Sequence, residues 1–434
     1  MSPSSHGALP LEAILIEGGQ PLVGTLAVSG AKNTALALLA ASLAASGTTV
    51  LENVPELADV QVMLEVLSSV GVKVERRPDG ISLDASNLTA HTTPYDLVTR
   101  MRASFFVLGP ILARMGQARI PLPGGCAIGS RPVDLHLKGL RALGAEVAIE
   151  HGYAIARADR LVGAPIYLDY PSVGATETIM MAAALAGGTT TLTNGAQEPE
   201  IIDLADLLVA MGAKIEGAGT ESMRIEGAPK LAGVRHRCIG DRIEAGTFMI
   251  AAAATGGDLT LVGIRPEHVA SLTGKLQEMG VSVTWPAPEA VRVQVPGPLT
   301  PVDVRTLPFP GFPTDLQAQM MALLAMTPGT SMMTETVFEN RFLHVDELHR
   351  MGANIRAEGN CAVIQGVSPL TGAPVRATDL RAGAALVVAG LAARGTTQVT
   401  GVHHIDRGYE HLEEKLVSVG ARITRSGVGE TARS

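Results

Sequence analysis

A chain of 434 residues with 46% hydrophobic and only 3% aromatic residues has length for two or three domains with aliphatic cores. Its net charge of −8 argues against a general nucleic-acid binder, which would present a basic surface. Cys126, Cys238 and Cys361 lie far apart and fit neither a disulfide framework nor a metal-ligand spacing, so a reducing cytoplasm is expected.

In chain order, MSPSSHG reads as disordered and the start carries no signal-peptide pattern. No uncharged apolar run reaches the ~18 residues of a membrane span. A glycine followed by an alternating strand pattern then recurs at Gly71, Gly144, Gly212, Gly280, Gly352 and Gly420, every 68–73 residues. A second marker, a helix-ending glycine followed by a strand, precedes each by 23–28 residues, at Gly47, Gly116, Gly188, Gly257, Gly329 and Gly395. The chain therefore reads as six copies of one unit.

Each copy contains an almost wholly apolar helix pattern, beginning with NTALALLAASLAAS and ASFFVLGPILARM and ending with RAGAALVVAGLAA. Helices apolar on every face are buried. A second, amphipathic kind, such as DLADLLVAMG and GYEHLEEKLVSVG, is expected to turn its acidic residues outward. The alternating strands read as half-exposed. The expected fold is thus α/β with helices inside and sheets outside. One ring of six copies and two bodies of three both fit, and the loop near Val234–Ile239 favours two bodies. The expected division is residues 12–32 with 240–425 as one domain and 33–239 as the other, with 1–11 and 426–434 as disordered tails.

Polar groups cluster where the apolar helices begin: Ser29 and Lys32, Arg102, Ser172, Asp241 with Glu244, Asp315, and Asp379 with Arg381. Exposed N–H groups at a helix start favour anions. Each Ser or Asp alone reads as a cap. Lys32, Arg102 and Arg381 are unfavourable there unless they face a bound anion. The stretch PLPGGCAIGSRPVDLH, Pro121 to His136, places Cys126 among Gly124, Gly125 and Gly129 with Arg131 five residues on. Glycines make such a segment pliable, and a nearby cation raises thiol reactivity. A glycine-rich turn around a buried, inert cysteine fits the same residues equally well.

The motifs SGAKN at Ser29, MRAS at Met101, GGCAIGSRPVDLH at Gly124, PSVGAT at Pro171, DRIEAGTF at Asp241, PGFPTDLQ at Pro310, FENRF at Phe338 and IDRGYE at Ile405 together span nearly the whole chain. In them the chain closely resembles the UDP-N-acetylglucosamine enolpyruvyl transferase family, over about residues 12 to 425. That resemblance implies two inside-out α/β barrel domains of three βαβαββ-type units each. It also implies transfer of the enolpyruvyl group of phosphoenolpyruvate to the sugar 3-hydroxyl, with release of phosphate, in peptidoglycan precursor synthesis. Lys32 and Asn33 would contact phosphoenolpyruvate, and Arg131 and Arg407 would bind its phosphate and carboxylate. Arg381 would close on the same side. The sugar nucleotide would meet Arg102, the run Arg131, Pro132, Val133, Asp134 and Leu135, the run Tyr170, Pro171, Ser172 and Val173, and Asp315 and Val337. Cys126 would be the general acid on a lid loop and the residue alkylated by fosfomycin. Asp315 would be the base or the orienting group at the 3-hydroxyl. Some relatives carry a basic residue ahead of SVGAT where this chain has Tyr170 and Pro171. The implied protein is cytoplasmic, a monomer or weak oligomer, with small-molecule partners only, and its reaction needs no metal and no cofactor.

The residue types suit that chemistry. Carbon 3 of the enol must gain a proton while the hydroxyl loses one at carbon 2, so an acid and a base are needed on one small centre. Several cations must hold a substrate with about three negative charges, and Lys32, Arg131, Arg381 and Arg407 supply them. An enolpyruvyl-shikimate-phosphate synthase, a relative without turnover and a repeat scaffold are the competing readings. The cysteine loop, with PGFPTDLQ and FENRF, favours the first. His403 and His404 lack partners at metal-ligand spacing.

Overall fold

The computed structural model describes residues 12–124, 133–367 and 369–426. The described residues within Met1–Val28, Arg242–Leu307 and Gly311–Ser434 form one compact unit, unit 1. Ser29–Asp241 with Pro308–Pro310 form unit 2. Each unit has its own apolar core: one cluster runs from Ile14 to Ile423 and omits everything between Val28 and Ile243. The other runs from Ala31 to Cys238.

Six helices stand in these cores. Lys32–Ala41, Leu108–Met115 and Val173–Ala183 belong to unit 2, and Arg242–Thr255, Gln317–Met326 and Leu380–Ala392 to unit 1. They are mostly apolar and largely buried, although Ala113, Arg114 and Met115 at the end of Leu108–Met115 are half-buried. Helices can cross closely where a side chain is missing: a Cβ on Gly109 would come within 2.4 Å of the Thr178 backbone carbonyl oxygen. The expected single helix over ASFFVLGPILARM is split into a 3-10 turn, Arg102–Val107, and the α-helix Leu108–Met115. Pro110 then falls in the first turn of the α-helix, where its missing N–H costs no hydrogen bond.

The strands form six open sheets, five of four strands and one of three. None closes on itself among the described residues, so the inside-out arrangement is three open sheets around buried helices in each unit rather than a closed barrel. Every sheet follows one plan. In unit 2, Thr48–Glu52 pairs antiparallel with Gly80–Asp84, which pairs with Lys73–Arg77. Arg235–Arg237 lies parallel on the other edge. In the three-stranded sheet a single parallel bridge, Thr92 to Arg119, takes that edge place. The plan is completed in unit 1 by the start of the chain. Val23–Ala27 is the parallel edge of Asp258–Val262. Ala13–Glu17 lies antiparallel between Thr396–Thr400 and Arg422–Ser426, where every other copy has its own return strand. Ile14 and Ile16 point into the core, the alternation a half-buried strand requires.

The division falls at Val28/Ser29 and Asp241/Arg242. Ser29–Lys32 and Gly240–Asp241 thus group with unit 2 and not with the C-terminal body. Backbone pairing holds them there: Ala31 N–H donates to Ile239 O at 2.7 Å and Asp241 N–H to Ser29 O at 2.9 Å. The acidic residues of DLADLLVAMG do not all face outward. Asp203 is buried, because its carboxylate accepts from Ile239 N–H at 3.2 Å and lies 2.8 Å from His236 Nε2.

Candidate active site

In unit 2, Lys32 is the first residue of its helix and is 9% exposed. Its backbone N–H donates to Asp241 Oδ2 at 3.0 Å, so a residue from the far end of the unit caps this helix. Its ammonium lies 2.7 Å from Asp59 Oδ2, itself buried. The cation at this helix start is thus paired with a protein carboxylate, that of Asp59. Asn33 follows, half-buried.

Arg102 opens its 3-10 turn and is half-buried. Nearby His136 lies 2.9 Å from Thr178 Oγ1 and edge-on to Phe105. Burial, and then the charge of Arg102, pull the His136 pKa down to about 3. Val133, Asp134 and Leu135 lead into the helix Asp134–Ala142, with Asp134 exposed. Tyr170 is exposed, and Pro171, Ser172 and Val173 are half-buried where Val173–Ala183 begins. Ser172 Oγ accepts from Ala175 N–H at 3.4 Å, an ordinary N-cap. Cys126, Arg131 and Pro132 lie outside the described residues.

In unit 1, Asp315 sits in the turn Thr314–Leu316 ahead of Gln317–Met326. Its carboxylate lies between two guanidinium groups: Arg341 donates to Oδ1 at 2.8 Å and Arg381 to Oδ2 at 2.9 Å. Both arginines are almost wholly buried, which makes these charge-assisted bonds strong and directional. Arg381 is therefore tolerated at the start of Leu380–Ala392 by Asp315, while Asp379 caps that helix through Arg381 and Ala382 N–H. Val337 is held nearby in the chain through Glu335, whose carboxylate accepts from Val337 N–H at 2.7 Å and from Thr306 and Thr314 hydroxyls at 2.8 Å each. Arg407 ends the 3-10 turn Val402–Arg407 and is half-buried. Burial, then the neighbouring His403 and Arg407, lowers the His404 pKa.

The structure thus brings Asp315 and Arg381 into direct contact. It also sets Arg341 against Asp315 in unit 1, and Asp59 and Asp241 against Lys32 in unit 2, contacts that sequence reasoning did not assign. Arg341 lies inside the FENRF motif and Asp241 opens DRIEAGTF, so both were within reach of the motifs. Asp59 is one acidic residue in an ordinary amphipathic helix and carried no signal. No group of three or more His, Cys, Asp or Glu that could hold a metal occurs among the described residues.

A family profile described as EPSP synthase (3-phosphoshikimate 1-carboxyvinyltransferase) matches residues 16–416. The chain belongs to this family of carboxyvinyl transferases. Within it, the UDP-N-acetylglucosamine 1-carboxyvinyltransferase 2 of Carboxydothermus hydrogenoformans is 57% identical over 416 residues, which is 96% of this chain and 99% of that one. The UDP-N-acetylglucosamine 1-carboxyvinyltransferase of Gloeobacter violaceus is 56% identical over 411 residues, covering 94% of this chain and 90% of that one. Among solved structures, the enolpyruvyl transferase NikO from Streptomyces tendae superposes with a TM-score of 0.86 at 30% identity, covering 96% of this chain and 99% of that chain. The EPSP synthase of Acinetobacter baumannii, with a TM-score of 0.75 at 19% identity, covering 96% and 100%, shares the fold.

Proposed function

We infer that this chain transfers the enolpyruvyl group of phosphoenolpyruvate to the 3-hydroxyl of UDP-N-acetylglucosamine, releasing phosphate, in peptidoglycan precursor synthesis. The observation that carries the reading is the Asp315 carboxylate oriented by Arg341 and Arg381, on a chain more than half identical to transferases named for this acceptor.

The sugar oxygen forms a bond to carbon 2 of the enol as its proton passes to a base, and carbon 3 gains a proton. In the second half the bond from carbon 2 to the phosphate oxygen breaks and carbon 3 gives up a proton, restoring the double bond. Both Asp315 oxygens already accept an arginine N–H, so this carboxylate is built to orient the hydroxyl as its proton leaves. Lys32 and Asn33, with Arg131, Arg381 and Arg407, hold the phosphate and carboxylate of phosphoenolpyruvate. Arg102, Pro132 to Leu135, Tyr170 to Val173 and Val337 line the sugar-nucleotide side. Cys126 delivers the proton to carbon 3 and is the position open to alkylation by fosfomycin. The enzyme works in the cytoplasm, as a monomer or weak oligomer. No described helix is long and apolar enough to cross a membrane.

The test is phosphate release from phosphoenolpyruvate with UDP-N-acetylglucosamine, with shikimate 3-phosphate, and with neither. Release with the sugar nucleotide only is expected. Release with shikimate 3-phosphate only would assign the other acceptor, and release with neither would end the reading.

A further inference from the structure

The three inner helices of unit 1 are tied together near their N-terminal ends by one hydroxyl. Tyr409 is 3% exposed, and its Oη lies 2.9 Å from Thr247 Oγ1 of Arg242–Thr255. Gln319 Nε2, of Gln317–Met326, donates to the same Oη at 3.1 Å. Arg381 Nη1, of Leu380–Ala392, donates to it at 3.3 Å. The Arg381 guanidinium also stands over the Tyr409 ring, 5.7 Å from its centroid. Its other terminal nitrogen holds Asp315 Oδ2. Gln319 Nε2 further donates to the Asp315 backbone oxygen at 3.0 Å. The hydroxyl therefore bears on both the guanidinium and the turn that carries the carboxylate.

We propose that Tyr409 is a positioning residue for the transfer reaction: its hydroxyl sets the pose of Arg381 and, through it, of the Asp315 carboxylate. The proposal rests on the function inferred above. The bond inventory separates this role from a packing role. Without the hydroxyl, Thr247 still donates to Ile243 O at 2.8 Å. Gln319 still reaches Thr247 Oγ1 at 3.1 Å and Asp315 O. A phenylalanine ring keeps the core volume and the face presented to the cation. What changes is the bond that fixes one side of a buried guanidinium, and a hydrogen bond to a charged group is among the stronger ones.

Tyr409→Phe, Arg381→Lys and the double variant test this in the full chain. Steady-state kinetics and melting temperature are read for each beside the parent. Expected for Tyr409→Phe is a roughly tenfold fall in kcat/KM for phosphoenolpyruvate, with the melting temperature within about 3 °C of the parent. Because the hydroxyl acts through Arg381, the double variant should lose little beyond Arg381→Lys alone, the mark of coupled sites. Parent-like kinetics in Tyr409→Phe, or losses that multiply in the double variant, would overturn the proposal while leaving the function standing. A parent protein that releases no phosphate from the two substrates would instead remove the function on which it rests.

Discussion

The Lys32 ammonium lies 2.7 Å from the Asp59 carboxylate, with both side chains nearly shut off from solvent. A buried pair of this kind is costly to break from one side, because the remaining charge is left uncompensated. It also fixes where the ammonium points, which is what a substrate-holding cation at a helix start requires.

Asp59→Ala should therefore act twice. Stability should fall by about 3 kcal/mol, the usual cost of removing one partner from a buried pair. The kcat/KM for phosphoenolpyruvate should fall by roughly tenfold or more as Lys32 loses its orientation. Urea unfolding and steady-state kinetics check the two effects, and parent-like values in both would show that the pair neither supports the fold nor aims the lysine.

Glu177 is 1% exposed, and no hydrogen-bond partner reaches its Oε2 among the described residues. Burial, with the charges of Glu200 and Glu198, raises its pKa well above the ordinary value. The folded protein then keeps a proton that the unfolded chain releases above pH ~4.5, so Glu177 costs stability increasingly as pH rises past that point. Glu177→Gln should melt higher than the parent by about 5 °C at pH 8 and alike near pH 4.5. Equal melting at both pH values would mean that the carboxyl is not held neutral.

The acid side has the opposite sign. His136 and His344 are pulled down to about 3 and about 4, in both cases chiefly by burial, with Arg102 assisting at the first. From the ordinary histidine value downward, the unfolded chain binds protons that the folded protein refuses, so stability is lost as pH falls from ~6.5. In unit 2 this loss and the gain from Glu177 oppose each other between pH ~4.5 and ~6.5. In unit 1, among the described residues, no carboxyl with a raised pKa offsets His344. Denaturant curves at stepped pH should show the parent losing stability below ~6.5, and a His344→Gln variant should lose it less steeply. Parallel curves would remove His344 as a cause.

Gly109→Ala should destabilise unit 2 by about 1–3 kcal/mol, because the added methyl meets backbone and not a side chain that could swing away. A thermal melt at neutral pH reads this directly. An unchanged melt would show that the helices separate at no cost.

Cys126→Ala should retain binding of UDP-N-acetylglucosamine and lose most turnover, since no group remains to deliver the proton to carbon 3. Cys126→Asp should recover much of it with an acid-shifted optimum, because a partly desolvated carboxyl keeps its proton to higher pH. It should also resist fosfomycin. Full activity in the alanine variant, or alkylation of the aspartate variant, would sink the role given to this residue.

Periodicity and composition alone determined the sixfold repeat, the buried character of six helices and the half-exposed strands. These are properties of each segment: a helix without a polar face can only be buried, and an alternating strand can only lie at the margin of a core. The motifs likewise marked Lys32 and Asp315, and the polar cluster where the last apolar helix begins marked Arg381, because spacing within a segment is fixed by the chain. What the cations answer to was decided only by the tertiary structure. Asp59 reaches Lys32, and Arg341 and Tyr409 reach Asp315 and Arg381, from 26 to 28 residues away in the chain, while Asp241 caps the Lys32 helix across 209. No local pattern encodes such pairings. The early strand Ala13–Glu17 shows the same limit. The sequence joined residues 12–32 to the C-terminal body, but the strand's place between Thr396–Thr400 and Arg422–Ser426 depended on a gap left in the last repeat, a vacancy that exists only once the sheets have formed.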